Sequence, residues 1–117
     1  MYETILKPIF FSFDPERVHD FFAWFGEVLG SNPLTRWVVS VSCDYEDPSL
    51  ATRVEGIDFR NPIGLGAGFD KDVRLTKIMP AVGFGFMEVG AITYLPYEGN
   101  KATRLARLPD DRSLVVN

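Results

Sequence analysis

The chain has 117 residues, with twelve basic side chains against sixteen acidic ones for a formal charge of −4, and a single cysteine, Cys43. This length suits one small domain or part of one. The acidic balance, without any block of like charges, argues against a nucleic-acid partner, and a lone cysteine excludes an intrachain disulfide and a cysteine metal cluster.

Cys43 reads as a buried, inert thiol in a reducing compartment. The apolar runs near the N-terminus are broken by Lys7, Pro8, Asp14 and Asp20, short of the roughly 20 residues that a membrane-crossing helix needs. The first residues also lack the pattern of a signal peptide, so the chain reads as mature from Met1.

In chain order, a short helix is expected over about residues 2–11, disturbed by Pro8. A second begins at Asp14-Pro15-Glu16: the Asp side chain caps free backbone N–H groups, Pro suits the first helical position, and Glu suits the positive end of the dipole. Val18, Phe21, Phe22, Phe25, Val28 and Leu29 then recur at helical spacing as one wide apolar face, and Gly30 is expected to stop the helix. A third helix is expected over about 33–41. Residues 1–42 thus form an aromatic-rich helical region. Residues 43–53 are polar, without a clear period, and read as a connector.

Beyond the connector the pattern becomes that of strands. Arg53 to Phe59 alternates around Gly56 as a short hairpin would. Ile63-Gly64-Leu65-Gly66-Ala67-Gly68 reads as a buried strand whose small residues admit a close neighbour. A helix is expected over about 72–82, with Val73, Leu75, Ile78, Met79 and Val82 on its apolar side and Pro80 near its end. Phe86 to Ile92 reads as a second buried strand. Strand, helix and strand over this length make a βαβ unit, and hence a parallel sheet.

In parallel α/β folds the loops leaving the carboxyl ends of the strands form the ligand face, and Ala67 to Lys71 lies at such an end. Gly66 and Gly68 can bring backbone N–H groups against a planar or phosphorylated ligand, Phe69 can wall it, and Lys71 can offer a cation to an anion. The alternative is that the glycines serve strand packing and that Lys71 is a solvated loop residue. G-L-G-A-G is not the dinucleotide fingerprint, whose third position would fall on Lys71, and no G-x-x-x-x-G-K-[ST] is present. Asp14, Glu16 and Asp20 are explained as a cap and a solvated helix face. Glu88, alternating within an apolar strand, either points into a polar barrel interior or pairs with a buried cation such as Arg107, and the structural pair is the preferred reading. Arg104 and Arg107 read either as phosphate ligands or as bridges to Asp110 and Asp111.

Four ordered segments, F-R-N-P-I-G-L-G-A-G-F-D-K-D (59–72), G-F-G-F-M-E-V-G (83–90), P-Y-E-G-N (96–100) and R-L-A-R-L-P-D-D (104–111), resemble the dihydroorotate dehydrogenase family in order and spacing. F-D-P-E-R-V-H (13–19) is similar to the helix start of its membrane-associated, quinone-dependent class. The resemblance implies an α/β class fold, with residues 54–117 as the N-terminal part of a (β/α)8 TIM barrel preceded by a small helical membrane-associated cap. It implies FMN as cofactor, lined by Ala67, Gly68, Phe69, Asp70, Lys71 and Ala91. Position 91 of the family pattern is usually a hydroxyl residue, and Ala91 removes one hydrogen bond to the flavin. Lys71 would also contact the orotate carboxylate. Asn117 aligns with the first residue of the substrate-binding N-R-x-G-F type motif after a one-residue insertion around 109–116.

The same resemblance gives the aromatic N-terminus a role, as a cap lying on the membrane and opening a tunnel for a membrane quinone. Phe10, His19, Phe22 and Phe25 would line it, with Arg107 near the quinone head. Read from the residues alone, the phenylalanines are ordinary core contacts and His19 a satisfied helix-surface imidazole. The implied reaction is oxidation of dihydroorotate to orotate in pyrimidine synthesis, by a protein held peripherally on the cytoplasmic face of the cell membrane. A barrel of this kind needs about 250 residues. This chain is therefore expected to supply two of the eight strands, to contain no catalytic base, and to be inactive alone. It would be a fragment, or one piece of a split barrel completed by a second polypeptide. A membrane-binding or interaction module without enzymatic activity is the alternative.

Overall fold

The computed structural model describes residues 2–116. They divide into two compact units, one holding residues up to Phe22 and from Thr93 onward, the other Ala23–Ile92.

The first unit opens with a π-helical turn, Tyr2–Leu6, followed by α1, Lys7–Phe11. Pro8 explains the division of the expected single helix, because a proline ring is tolerated only in the first turn of a helix. α2, Pro15–Ser31, starts as its sequence dictates: Asp14 Oδ1 accepts from the backbone N–H of Glu16 at 3.0 Å and of Arg17 at 3.1 Å. Toward the end of the chain, β5 (Leu105–Leu108) and β6 (Ser113–Val116) form an antiparallel hairpin. The sequence reading missed this hairpin, although P-D-D-R between two apolar-rich segments is a turn signal. The turn closes with Arg112 N–H donating to the Pro109 carbonyl at 3.2 Å.

In the second unit α2 continues through Gly30, which does not stop the helix. A Cβ on Gly30 would lie 3.2 Å from Lys77 Cβ, and one on Gly26 would lie 2.6 Å from Leu75 Cδ2. These glycines are where another segment approaches the helix, and Ala23 on the same side is buried. The stop comes from Asn32, which is extended, and Pro33. Asn32 Oδ1 accepts from Leu34 N–H at 2.8 Å and caps α3, Pro33–Cys43. Cys43 is exposed rather than buried.

The short strands β1 (Thr52–Val54) and β2 (Ile57–Phe59) pair as the expected antiparallel hairpin. β3 (Gly64–Asp70) and β4 (Phe86–Val89) pair in parallel, as the strand-helix-strand pattern predicts. The connection between them carries much less helix than expected: α4 covers only Met79–Val82. Pro80 belongs to its first turn, where a missing N–H is harmless, and not to its end. Leu75 (1% exposed), Ile78 (2%) and Ala81 are buried together, with Leu29, Val39, Met79 and Met87 packed against them. Of the apolar positions of the expected helix, Leu75, Ile78 and Met79 therefore reach the core, the first two carried by turns, whereas Val73 and Val82 are exposed.

This core is small. Phe21, Phe22, Trp24, Phe25 and Val28 on α2 and Leu34, Trp37, Val38 and Val41 on α3 are exposed. α2 buries its smallest residues and presents its largest.

Candidate functional site

The strand pairing is irregular where the sequence places the ligand face. Gly64 pairs with Phe86 and Leu65 with Met87, but the next partners are Asp70 and Val89. Five steps along β3 thus match two along β4, and Gly66 to Phe69 bulge out of register. Bulges of this kind re-aim side chains and concentrate beside functional sites. Gly68 sits at φ +90, a conformation that suits glycine. A Cβ on Gly66 or Gly68 would meet nothing within 4 Å, whereas one on Gly64 would strike the Phe86 ring. Gly64 is thus a packing glycine, while Gly66 and Gly68 face open space.

Ala67, Gly68, Phe69 and Lys71 are exposed, as is Ala91 just past β4. Gly90 N–H donates to the Asp70 carbonyl at 3.2 Å, which ties the ends of the two strands together. Asp70 differs from its neighbours: it is 3% exposed, and its two carboxylate oxygens accept from Arg74 N–H at 2.8 Å and Leu75 N–H at 2.9 Å. The residues present fit a flat anionic cofactor such as FMN. They offer an open glycine backbone, one aromatic side chain and one exposed cation at the carboxyl end of a parallel strand.

Two residues to which the sequence reading gave no role hold this strand from its other end. Arg60 pairs with Asp44 and donates from Nη2 to the Pro80 carbonyl at 2.6 Å. The Asp44 carboxylate is the main cause of the Arg60 guanidinium being held above its ordinary value. Buried Asn61 donates from Nδ2 to the Gly83 carbonyl at 3.0 Å and accepts from Ile63 N–H at 2.9 Å. The N-P pair at 61–62 is the signal that could have announced this Asx turn.

Of the residues expected to line a quinone tunnel, Phe10 and Phe22 meet edge to face, with ring centroids 5.2 Å apart. Arg107 donates from Nη1 to the Phe13 carbonyl at 2.7 Å and from Nη2 to the Phe10 carbonyl at 3.3 Å, and its guanidinium lies 4.5 Å from the centroid of the Phe11 ring. Arg104 pairs with Glu16, its Nε 2.6 Å from Oε1. Neither arginine therefore takes Asp110 or Asp111, and Glu88, expected in a structural pair, is exposed on β4. His19 Nδ1 lies 3.4 Å from Asp20 Oδ1. Phe25 lies further along α2 and is exposed. Asn117, the expected substrate contact, lies outside the described residues. Among the described residues no cluster of three or more His, Cys, Asp or Glu could hold a metal ion, and no helix is long and apolar enough to cross a membrane.

Comparison with known proteins bears on the same residues. Residues 49–117 match the family model for dihydroorotate dehydrogenase. Dihydroorotate dehydrogenase (quinone) of Acidithiobacillus ferrooxidans is 42% identical over 113 residues, covering 95% of this chain and 31% of its own length. Its counterpart in Mycobacteroides abscessus is 43% identical over 116 residues, covering 98% and 32%. The crystal structure of the Eimeria tenella DHODH in complex with ferulenol superimposes with a TM-score of 0.72 at 36% identity, over 88% of this chain and 25% of that one. The chain spans about a third of the length of the curated relatives it matches. Its fold is of the TIM-barrel type, and the chain belongs to the dihydroorotate dehydrogenase family.

Proposed function

We propose that this chain supplies the N-terminal part of a quinone-dependent dihydroorotate dehydrogenase, with FMN seated against the bulged end of β3. The observation that carries the reading is the open bulge itself, Gly66 to Phe69, followed directly by the exposed cation of Lys71. Gly66 and Gly68 let the flat ring approach the backbone, Ala67 and Phe69 border it, and Ala91 at the end of β4 adds a small apolar contact. Bound FMN supplies the acceptor for the hydride of dihydroorotate and the route for its electrons to a quinone. Lys71 would offer its cation to negative charge on the reduced flavin and on the substrate carboxylate, and a preorganised cation stabilises charge that develops in a transition state. Asn117 would add a polar contact to the substrate.

Residues 1–42 act as a helical cap on the membrane, 43–53 as a connector and 54–117 as the start of the barrel. The exposed aromatic residues of α2 support an in-plane helix at a lipid surface. Phe10, His19, Phe22, Phe25 and Arg107 border the path of the quinone, and the protein works peripherally at the cytoplasmic face of the cell membrane. Alone, the 117 residues do not turn over dihydroorotate.

A chimera tests this reading. Residues 1–117 replace the aligned third of the Acidithiobacillus ferrooxidans relative. The purified product should show flavin absorbance near roughly 450 nm and reduce a quinone analogue in the presence of dihydroorotate. A folded chimera that binds no flavin would rule the reading out.

A further inference from the structure

β3 ends in a carboxylate that is already engaged. Asp70 is 3% exposed, and its Oδ1 and Oδ2 accept from the backbone N–H groups of Arg74 and Leu75. The backbone it encloses, Lys71 to Arg74, is a tight turn in which Val73 takes φ +60, a left-handed conformation that is costly for a β-branched side chain. Charge-assisted hydrogen bonds are stronger than neutral ones, and two of them converge here to hold that conformation. A second anchor comes from α2. Glu27 Oε2 accepts from Arg74 Nε at 2.8 Å and lies 2.6 Å from its Nη2. Lys71 thus leaves a backbone fixed by Asp70 on one side of the turn and by Glu27 through Arg74 on the other.

We propose that Asp70 is a positioning residue for Lys71: its carboxylate, turned to the amides of Arg74 and Leu75, acts by clasping the turn, with the Glu27–Arg74 pair as the second anchor. The role of Lys71 rests on the flavin reading above, whereas the clasp rests on the hydrogen bonds alone. Asp70→Asn keeps the shape of the side chain and replaces one acceptor with an NH2 group that cannot accept. The clasp therefore loosens without a change in bulk.

Hydrogen–deuterium exchange on the full 117-residue chain tests the clasp. In Asp70→Asn the Arg74 and Leu75 amides should exchange about tenfold faster or more, while the amides of β4 keep their protection. Unchanged exchange at those two amides overturns the proposal. If Asp70→Ala loses protection everywhere, it has unfolded, and Asp70→Asn together with Glu27→Gln decides. The flavin potential of the chimera tests positioning. Asp70→Asn should move it in the same direction as Lys71→Ala does, and Glu27→Gln should move it less. A flavin-loaded Asp70→Asn chimera with an unchanged potential overturns the positioning role. A parent chimera without flavin defeats the flavin reading instead, and the exchange rates of the two amides then decide the clasp by themselves.

Discussion

Arg60 holds Asp44 through two parallel hydrogen bonds, Nη1 to Oδ2 at 2.8 Å and Nη2 to Oδ1 at 2.9 Å, so the residue that ends α3 is fastened to the segment that leads into β3. Lysine cannot reproduce a planar two-point grip. Arg60→Lys should therefore destabilise the chain nearly as much as Arg60→Ala, by about 2 kcal/mol. Urea unfolding followed by circular dichroism measures this, and a loss confined to the alanine variant would show that charge alone is enough.

The glycines of one strand should respond oppositely to alanine. Gly64→Ala meets the Phe86 ring, and overpacking of this kind costs about 1–3 kcal/mol. Gly66→Ala has open space and should change stability by less than about 0.5 kcal/mol, yet weaken flavin retention in the chimera. Thermal melts paired with flavin fluorescence separate the two effects.

Acid should loosen the connector at one carboxylate. The Ser49 hydroxyl first, and the Ser49 backbone N–H second, hold the Asp47 carboxyl below its ordinary value. A group whose value is lowered on folding contributes fully above its unfolded value and loses that contribution as pH falls through the lowered one. The turn Pro48–Leu50 should therefore stay intact at neutral pH and open only below the usual carboxylate range. The Ser49 amide shift in an NMR pH titration reports it, and Asp47→Asn should abolish the titration.

Phe21 is exposed on α2. Burying a phenylalanine in an apolar phase stabilises by about 1.5–3 kcal/mol, so Phe21→Asp should lower partitioning of the full chain onto anionic vesicles at least tenfold. Vesicle co-sedimentation gives the number. Equal partitioning of the two proteins would detach α2 from the membrane role.

Local signals were readable wherever partners lie close in the sequence. The Asp14 cap and the hairpin around Gly56 depend on neighbours, and the structure forms them; the two strands of the expected strand-helix-strand unit also form and pair in parallel, although most of the helix between them does not. What the sequence concealed depends on distant partners. Arg60 meets Asp44, Pro80 and Phe84, which are 16, 20 and 24 residues away. The expected helix over 72–82 shrank because the amides of Arg74 and Leu75 are drawn to Asp70, and Gly30 continues a helix because another segment needs its missing side chain. At the candidate site, the open glycines and Lys71 were legible as a strand end. The engagement of Asp70 was not, since a carboxylate facing solvent and one turned inward look the same in one-letter code.

The unequal strand lengths between Leu65 and Asp70 set one further constraint. Opposite faces alternate along a strand, so removing a single residue from this stretch would break the pairing of Asp70 with Val89 or of Leu65 with Met87, and would carry the clasped turn with it. Length here is therefore as restricted as chemistry: the segment tolerates exchange of side chains far better than any change in the number of links.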